Sequence, residues 1–327
     1  MKQLLMAAFM ALGVSTAAHA SMENENLVLC GASPGGMWSN IGVGVDAALK
    51  EEYSGASATY QTSSGGPANV VQVKRGVCDV GLANDGDLAA ALKGAEPFKE
   101  EVDGLQALGV MLDWLPVMWL ARKDFAEKHD IENLTDLVEK QPPVRVVMNR
   151  RGLLTSDITT SLLGSMGVTA DEIKSWGGSI QYQPSGEQAG LMQDGRVDLM
   201  ANTLFEGDRG VAETANNVEL VLLDVPAEAN QAVIDEYFLK PWVIEAGAFP
   251  WHERDVNTVS TSVILFADEN MSEEQAYAIS KALINNANKV SGVSKSMDRF
   301  TPEVLVEQEV VPWHPGAMRA FEEAGLL

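Results

Sequence analysis

Three stretches of this 327-residue chain set glycine, small hydroxyl residues or arginine between an apolar run and a helix-like run. They are Gly31-Ala32-Ser33-Pro34-Gly35-Gly36, Ser63-Ser64-Gly65-Gly66 and Asn149-Arg150-Arg151-Gly152-Leu153-Leu154-Thr155. A turn of this kind exposes backbone N–H groups at the positive end of a helix, which suits a carboxylate or phosphate. Glycine lets the backbone approach a ligand and take φ > 0. Neither glycine turn has the G-x-G-x-x-G spacing or a following Lys-Ser/Thr pair, so nucleotide sites do not fit. In the third stretch an arginine can hold a carboxylate in a bidentate fork. One of Arg150 and Arg151 is expected to face a ligand, the other to be structural or exposed.

Groups for catalysis do not assemble. H-E-x-x-H is missing, and the acid pairs Glu51-Glu52, Glu273-Glu274 and Glu322-Glu323 read as solvated helix faces. His129, His252 and His314 show no ligand spacing, so neither metal nor cofactor is expected. His314 precedes Pro315-Gly316 and reads as a packing residue in a tight turn rather than a proton sensor.

The elements that must position these turns alternate. Leu27–Cys30, Ala58–Thr62 and Val77–Asn84 read as strands, with helical stretches from Trp38 to Glu52 and from Pro67 onward. That alternation predicts a parallel α/β sheet. Residues 144–149, 180–183, 197–202 and 218–223 give further strands, with helices at 156–166 and 186–194. Between the halves, Leu105–Arg122 is almost continuously apolar: a pair of buried strands, or one segment crossing between domains. Val259–Phe266 returns as a strand, and 272–289 reads as a helix capped by Ser272 and Gln275.

Lys2, the apolar run Leu4–Val14 and Ala18-His19-Ala20 read as a signal peptide over residues 1–20, cut after Ala20. The run is shorter than the roughly 20 residues a bilayer requires. The net charge is −23, one unit more negative once Lys2 is lost. Such a field disfavours nucleic acid and anionic membranes, so an anion site must be built locally. The remaining ~300 residues suggest two domains. Cys30 ends one strand and Cys78 opens another, which would set the sulfurs at different heights. Two buried free thiols are therefore expected, although an exported chain could pair them.

Four segments together resemble the TAXI-type solute receptors of tripartite ATP-independent periplasmic (TRAP) transporters. Gly31–Trp38 resembles that family's first loop, and Gln61–Asn69 its Thr/Ser-Gly-Gly stretch reaching an Asn. Asp79–Asp85 resembles the strand that follows, and Val311-Pro312-Trp313-His314-Pro315-Gly316-Ala317 the closing P-h-H-P-G-A motif, where h is apolar. The resemblance implies an α/β, two-lobe periplasmic binding protein of type II-like form, with the ligand in a cleft between hinged lobes. Lobe I would comprise residues 21–115 and 255–327, lobe II 116–222, and a return crossing 223–254. It further implies a non-enzymatic periplasmic receptor, and nothing in the sequence points beyond a monomer. A small organic anion, a dicarboxylate or acidic amino acid such as 2-oxoglutarate or glutamate, would pass to membrane permease subunits. An exported two-lobe sensor and an unrecognised exported α/β enzyme are the alternatives.

Where that family carries a G-x-x-G-S-G-T loop, this chain has Asn149–Thr155, so side-chain charge replaces part of a backbone nest. On this reading the first-lobe wall is Ser33, Gly36, Met37, Trp38, Ser64, Gly65, Gly66 and Asn69, with Asn84 at its base. The second-lobe wall is Asn149, Arg150, Arg151 and Thr155, joined by Thr203 and Phe205. Trp38 and Trp114 could flank the ligand, although core packing suits Trp114 better.

Overall fold

The computed structural model describes residues 22–32, 37–206 and 208–327. The proposed signal peptide, Ser33 and Gly36 lie outside these. The first lobe opens with β1 (Asn26–Cys30), α1 (Met37–Glu52), β2 (Ser57–Gln61), α2 (Gly66–Lys74), β3 (Val80–Asn84) and α3 (Asp85–Lys93). β1 pairs in parallel with both β2 and β3. Helices cover both faces of such a sheet, which is why its strands read as apolar runs instead of alternating.

β4 (Leu105–Arg122) then leaves the lobe as one continuous strand of 18 residues, not two. It pairs with β10 as far as Pro116 and with β7 from Val117 on. The second lobe follows with α4 (Lys123–His129), α5 (Leu134–Lys140), β5 (Arg145–Met148), α6 (Leu154–Ser165) and α7 (Ala170–Ser175). It continues through β6 (Ser179–Tyr182), α8 (Ser185–Gln193), β7 (Leu199–Thr203), α9 (Arg209–Ala215) and β8 (Leu220–Leu222). β5 runs parallel to β6 and β7, repeating the arrangement of the first lobe.

The stretch 223–254, expected as a return crossing, holds α10 (Ala227–Tyr237) and β9 (Lys240–Ile244). Ala229 and Val233 of α10 are buried among Ile158 and Leu162 of α6, in the second-lobe core. β10 (Val256–Asp268) returns to the first lobe, pairing with β9, β4 and β3. α11 (Glu273–Asn285), α12 (Ala287–Ser291) and α13 (Pro315–Glu323) complete it. Ser272 caps α11 by accepting from Gln275 N at 3.2 Å, and the expected single helix breaks at Asn286.

Each lobe has its own core. Leu27, Leu29, Ile41, Leu82, Ile279 and Phe321 are buried in the first, and Trp119, Val146, Ile158 and Leu199 in the second. Full burial of one such aliphatic side chain contributes about 1.5–3 kcal/mol. Trp114 belongs to the first core, its Nε1 donating to Ser296 O at 3.1 Å.

The cysteines correct the sequence reading: Cys30 and Cys78 form a disulfide, with Cα atoms 5.8 Å apart. The strand begins at Val80, not at Cys78. Cys78 therefore sits in the turn after α2, free to swing toward the end of β1. His314 is a structural residue. Its Nδ1 accepts from Gly316 N at 3.2 Å, capping α13, and its Nε2 lies 3.0 Å from Met271 O. Burial lowers its pKa, which favours the neutral ring.

Candidate functional site

The parallel strands of both lobes end at one gap between them. Beyond the carboxyl ends of such strands is where open α/β sheets bind ligands. The gap is a cleft of about 500 Å³. The first lobe lines it with Met37 and Trp38 at the start of α1, the Ser63–Pro67 turn, Asn84 and Asp87 around the start of α3, and Leu115. The second contributes Asn149, Arg150 and Leu153–Thr155 before and within α6, Pro184–Gly186 at α8, and Thr203–Phe205 with Asp208 before α9.

The first-lobe turns are held from below. Ala32 N donates to Tyr60 Oη at 2.6 Å, and the Tyr60 ring fills the space that a side chain at Gly31 or Gly42 would need. Gly65, at φ +115°, has the backbone that glycine alone adopts readily. A Cβ on Gly66 would overlap the carboxylate of Asp87.

Asn69, expected in the wall, lies underneath it and is fully buried. Its Nδ2 donates to Gly31 O at 2.9 Å and Leu82 O at 2.7 Å, and its Oδ1 is 2.5 Å from Ser63 Oγ. It faces inward because three polar groups of neighbouring elements converge there, and a buried amide must be satisfied.

In the second lobe, Asn149 Nδ2 donates to Ser185 Oγ at 3.0 Å, and Asn202 Nδ2 to Ser185 Oγ and Gln188 Oε1, each at 3.1 Å. This network, buried at Asn149, Asn202 and Gln188 and reaching the exposed Ser185, locks the α6 and α8 turns together. Thr155 Oγ1 and Thr203 Oγ1 are 2.8 Å apart at the rim. Arg150 lines the cleft and makes no ion pair among the described residues. Arg151 turns away: its guanidinium lies 4.3 Å from the centre of the Tyr182 ring, lining a separate groove. Of the expected site residues, only Asn69 and Arg151 among those described stand outside the cleft.

The lobes touch across the gap. Leu153 Cδ2 lies 3.5 Å from where a Gly65 Cβ would be, and Leu154 Cδ1 2.8 Å from that of Gly86. Phe205 reaches over to pack on the first-lobe core.

Helix starts supply the electrostatics. α1, α2, α3, α6 and α8 all begin at the cleft. The N-caps of α2, α6 and α8 are Gly65, Leu153 and Pro184, none of which offers a side-chain cap. By contrast, Asn133, Thr169, Ser272 and His314 cap α5, α7, α11 and α13 elsewhere. The starts of α4, α10 and α12 also lack a side-chain cap, but they lie outside the cleft. Uncapped starts leave N–H donors for an incoming acceptor.

Two acids stand beside these donors. Asp85 is buried, held by Thr261 Oγ1 at 2.5 Å and Ser262 N at 2.9 Å, and burial pushes its pKa to about 6. Burial drives Asp87 to about 7 against one hydrogen bond from Asn84 N at 3.3 Å, with Asp85 and Asp157 adding repulsion. Sequence reasoning offered Asp85, Asp87, Glu206 and Asp208 as acids that could partner an amino group without choosing among them, and it missed the whole Pro184-Ser185-Gly186 turn, although that turn has the same strand-to-helix signal. The expectation that the chain has no G-x-S-x-G elbow is corrected by Gly31-Ala32-Ser33-Pro34-Gly35, which has that spacing. No histidine lines the cleft to act as base, and no cluster of three or more metal-ligating side chains occurs among the described residues.

Two α/β lobes closing on a cleft of helix starts define a two-lobe binding-protein fold. The chain belongs to the NMT1-like family, whose sequence model matches residues 29–325. Its fold is shared with MatC (Rpa3494) from Rhodopseudomonas palustris with bound malate, at 14% identity, 92% of this chain and 96% of that one, TM-score 0.54. It is shared with a TctC solute binding protein from Polaromonas, at 14%, 92% and 96%, TM-score 0.52. The periplasmic binding protein BugD matches at 14%, 92% and 97%, TM-score 0.51. No helix among the described residues is long and apolar enough to cross a membrane.

Proposed function

We propose that the protein is a periplasmic receptor that captures a small organic acid and delivers it to the permease subunits of a TRAP-type or related transporter. The carrying observation is the convergence of three side-chain-uncapped helix starts and unpaired Arg150 on one cleft in a strongly acidic chain. Each start favours an anion, and Arg150 adds a fork for a carboxylate. The malate bound by MatC, a dicarboxylate in a protein of the same fold, supports an acidic ligand. The Cys30–Cys78 disulfide suits an oxidising compartment and so the expected export. Within this reading Ser33 and Gly36 belong to the first-lobe loop, and the receptor works as a monomer.

Thermal unfolding of refolded protein against a panel of small carboxylic acids tests the reading. An acid at about 100 times its Kd stabilises by roughly 2.7 kcal/mol. At about 2–4 °C per kcal/mol, that is a rise of several degrees. A panel that moves the midpoint nowhere, while neutral sugars do, would replace the acid with another solute.

A further inference from the structure

Resting on the acid-receptor reading, the geometry points to a ligand that carries a cationic nitrogen as well as a carboxylate, the nitrogen received by Asp87 and the carboxylate by Arg150. A dicarboxylate without an amino group does not meet this description. Asp87 is only 6% exposed, yet its carboxylate lines the cleft beneath Gly66. Among the described residues the hydrogen bond its carboxylate accepts is a long one, from Asn84 N to Oδ2 at 3.3 Å. A buried carboxylate left this way is costly, and a cation satisfies it. Asp208 is a second acid in the lining; its Oδ1 caps α9 through Val211 N at 3.0 Å. Arg150 is the one cationic side chain of the described lining, so the wall holds two acids against one base. A dianion would add two negative charges to that excess, whereas a zwitterion adds none.

The test compares 2-amino acids with the 2-oxo or 2-hydroxy acids of the same skeleton, from two to six carbons and including the dicarboxylic members, by calorimetric titration of the wild-type protein. The expected result is at least tenfold tighter binding of the amino member of the best pair. Asp87→Asn should erase that preference and leave the oxo member's affinity within a few-fold. A pH series on the wild type needs no variant. Asp87 faces Asp85 on its own helix and Asp157 of α6, with Glu236 and Tyr237 of α10 behind the latter and Arg150 and Asp208 across the cleft. As a carboxylate accepting from an ammonium, it requires affinity to fall as pH drops through about 7. As a neutral acid donating to a second ligand carboxylate, it would make affinity rise instead. Tighter binding of the oxo member, or affinity that rises on acidification, overturns the inference and leaves the receptor standing. Failure of every pair to bind overturns both.

Discussion

The disulfide is the feature most at odds with the sequence reading, and its removal has a magnitude the structure sets. Cys30 and Cys78 are 48 residues apart, so the bond closes a loop of about that length in the unfolded chain. Chain-entropy arithmetic for such a loop gives about 4 kcal/mol at 25 °C. The bond ties the end of β1, one residue before Gly31, to the turn that leads into β3, so it also braces the floor of the first cleft turn. The double substitution Cys30→Ala with Cys78→Ala should therefore lower stability by up to about 4 kcal/mol, less whatever repacking recovers. Urea unfolding followed by far-UV circular dichroism reads this as a lower midpoint at an unchanged slope. Titration of the denatured, unreduced wild type with a thiol reagent should find no free thiol. Two titratable thiols, or a double variant as stable as wild type, would refute the pairing and restore the free-thiol reading.

Three further outcomes follow from the cleft. Arg150→Ala should weaken acid binding by about 1.5–3 kcal/mol in calorimetry, as expected for loss of a charged hydrogen-bond donor at an exposed cleft wall, while Arg151→Ala, stacked on Tyr182 outside the cleft, should change it little. Equal effects of the two would show that the arginines are misassigned. Asn69→Ala removes the amide donor to Leu82 O and to Gly31 O, of which Gly31 O keeps Ser63 Oγ at 2.6 Å, and at about 1–3 kcal/mol per unsatisfied buried group should cost about 1–3 kcal/mol in denaturant unfolding. A variant that loses affinity but no stability would return Asn69 to the wall. The pKa values of Asp85 and Asp87 are raised to about 6 and about 7, so the folded state prefers them protonated. Stability from this source is full below the unfolded carboxylate range near pH 4 and is lost as pH rises through 6 to 7. Asp87→Asn should accordingly gain stability on wild type at pH 8 relative to pH 4, by a few kcal/mol at most; a constant difference across that range contradicts the assignment.

Why some of this could be read from the chain and some could not is itself physical. Strand-to-helix turns announce themselves through residue types that nothing else demands: Gly65 is required by its φ, and Gly66 by the carboxylate packed against it. Both lobes were legible because buried parallel strands are apolar runs, and β4 because an 18-residue run can stay buried only by passing between two cores. Asn69 was misplaced because an amide near a glycine turn looks the same whether it faces ligand or backbone; only the convergence of Gly31 O, Leu82 O and Ser63 decides. Asp87 could not be singled out among neighbouring acids for a related reason. An acid in the first turn of a helix is ordinarily a favourable partner for the positive helix end, so its type carries no sign of burial. What distinguishes it is the other lobe. Leu153 and Leu154 press on Gly65 and Gly86, removing water from the same first turn that holds Asp87. The residue becomes chemically exceptional only when two segments roughly seventy positions apart in sequence meet, and no local pattern encodes that meeting.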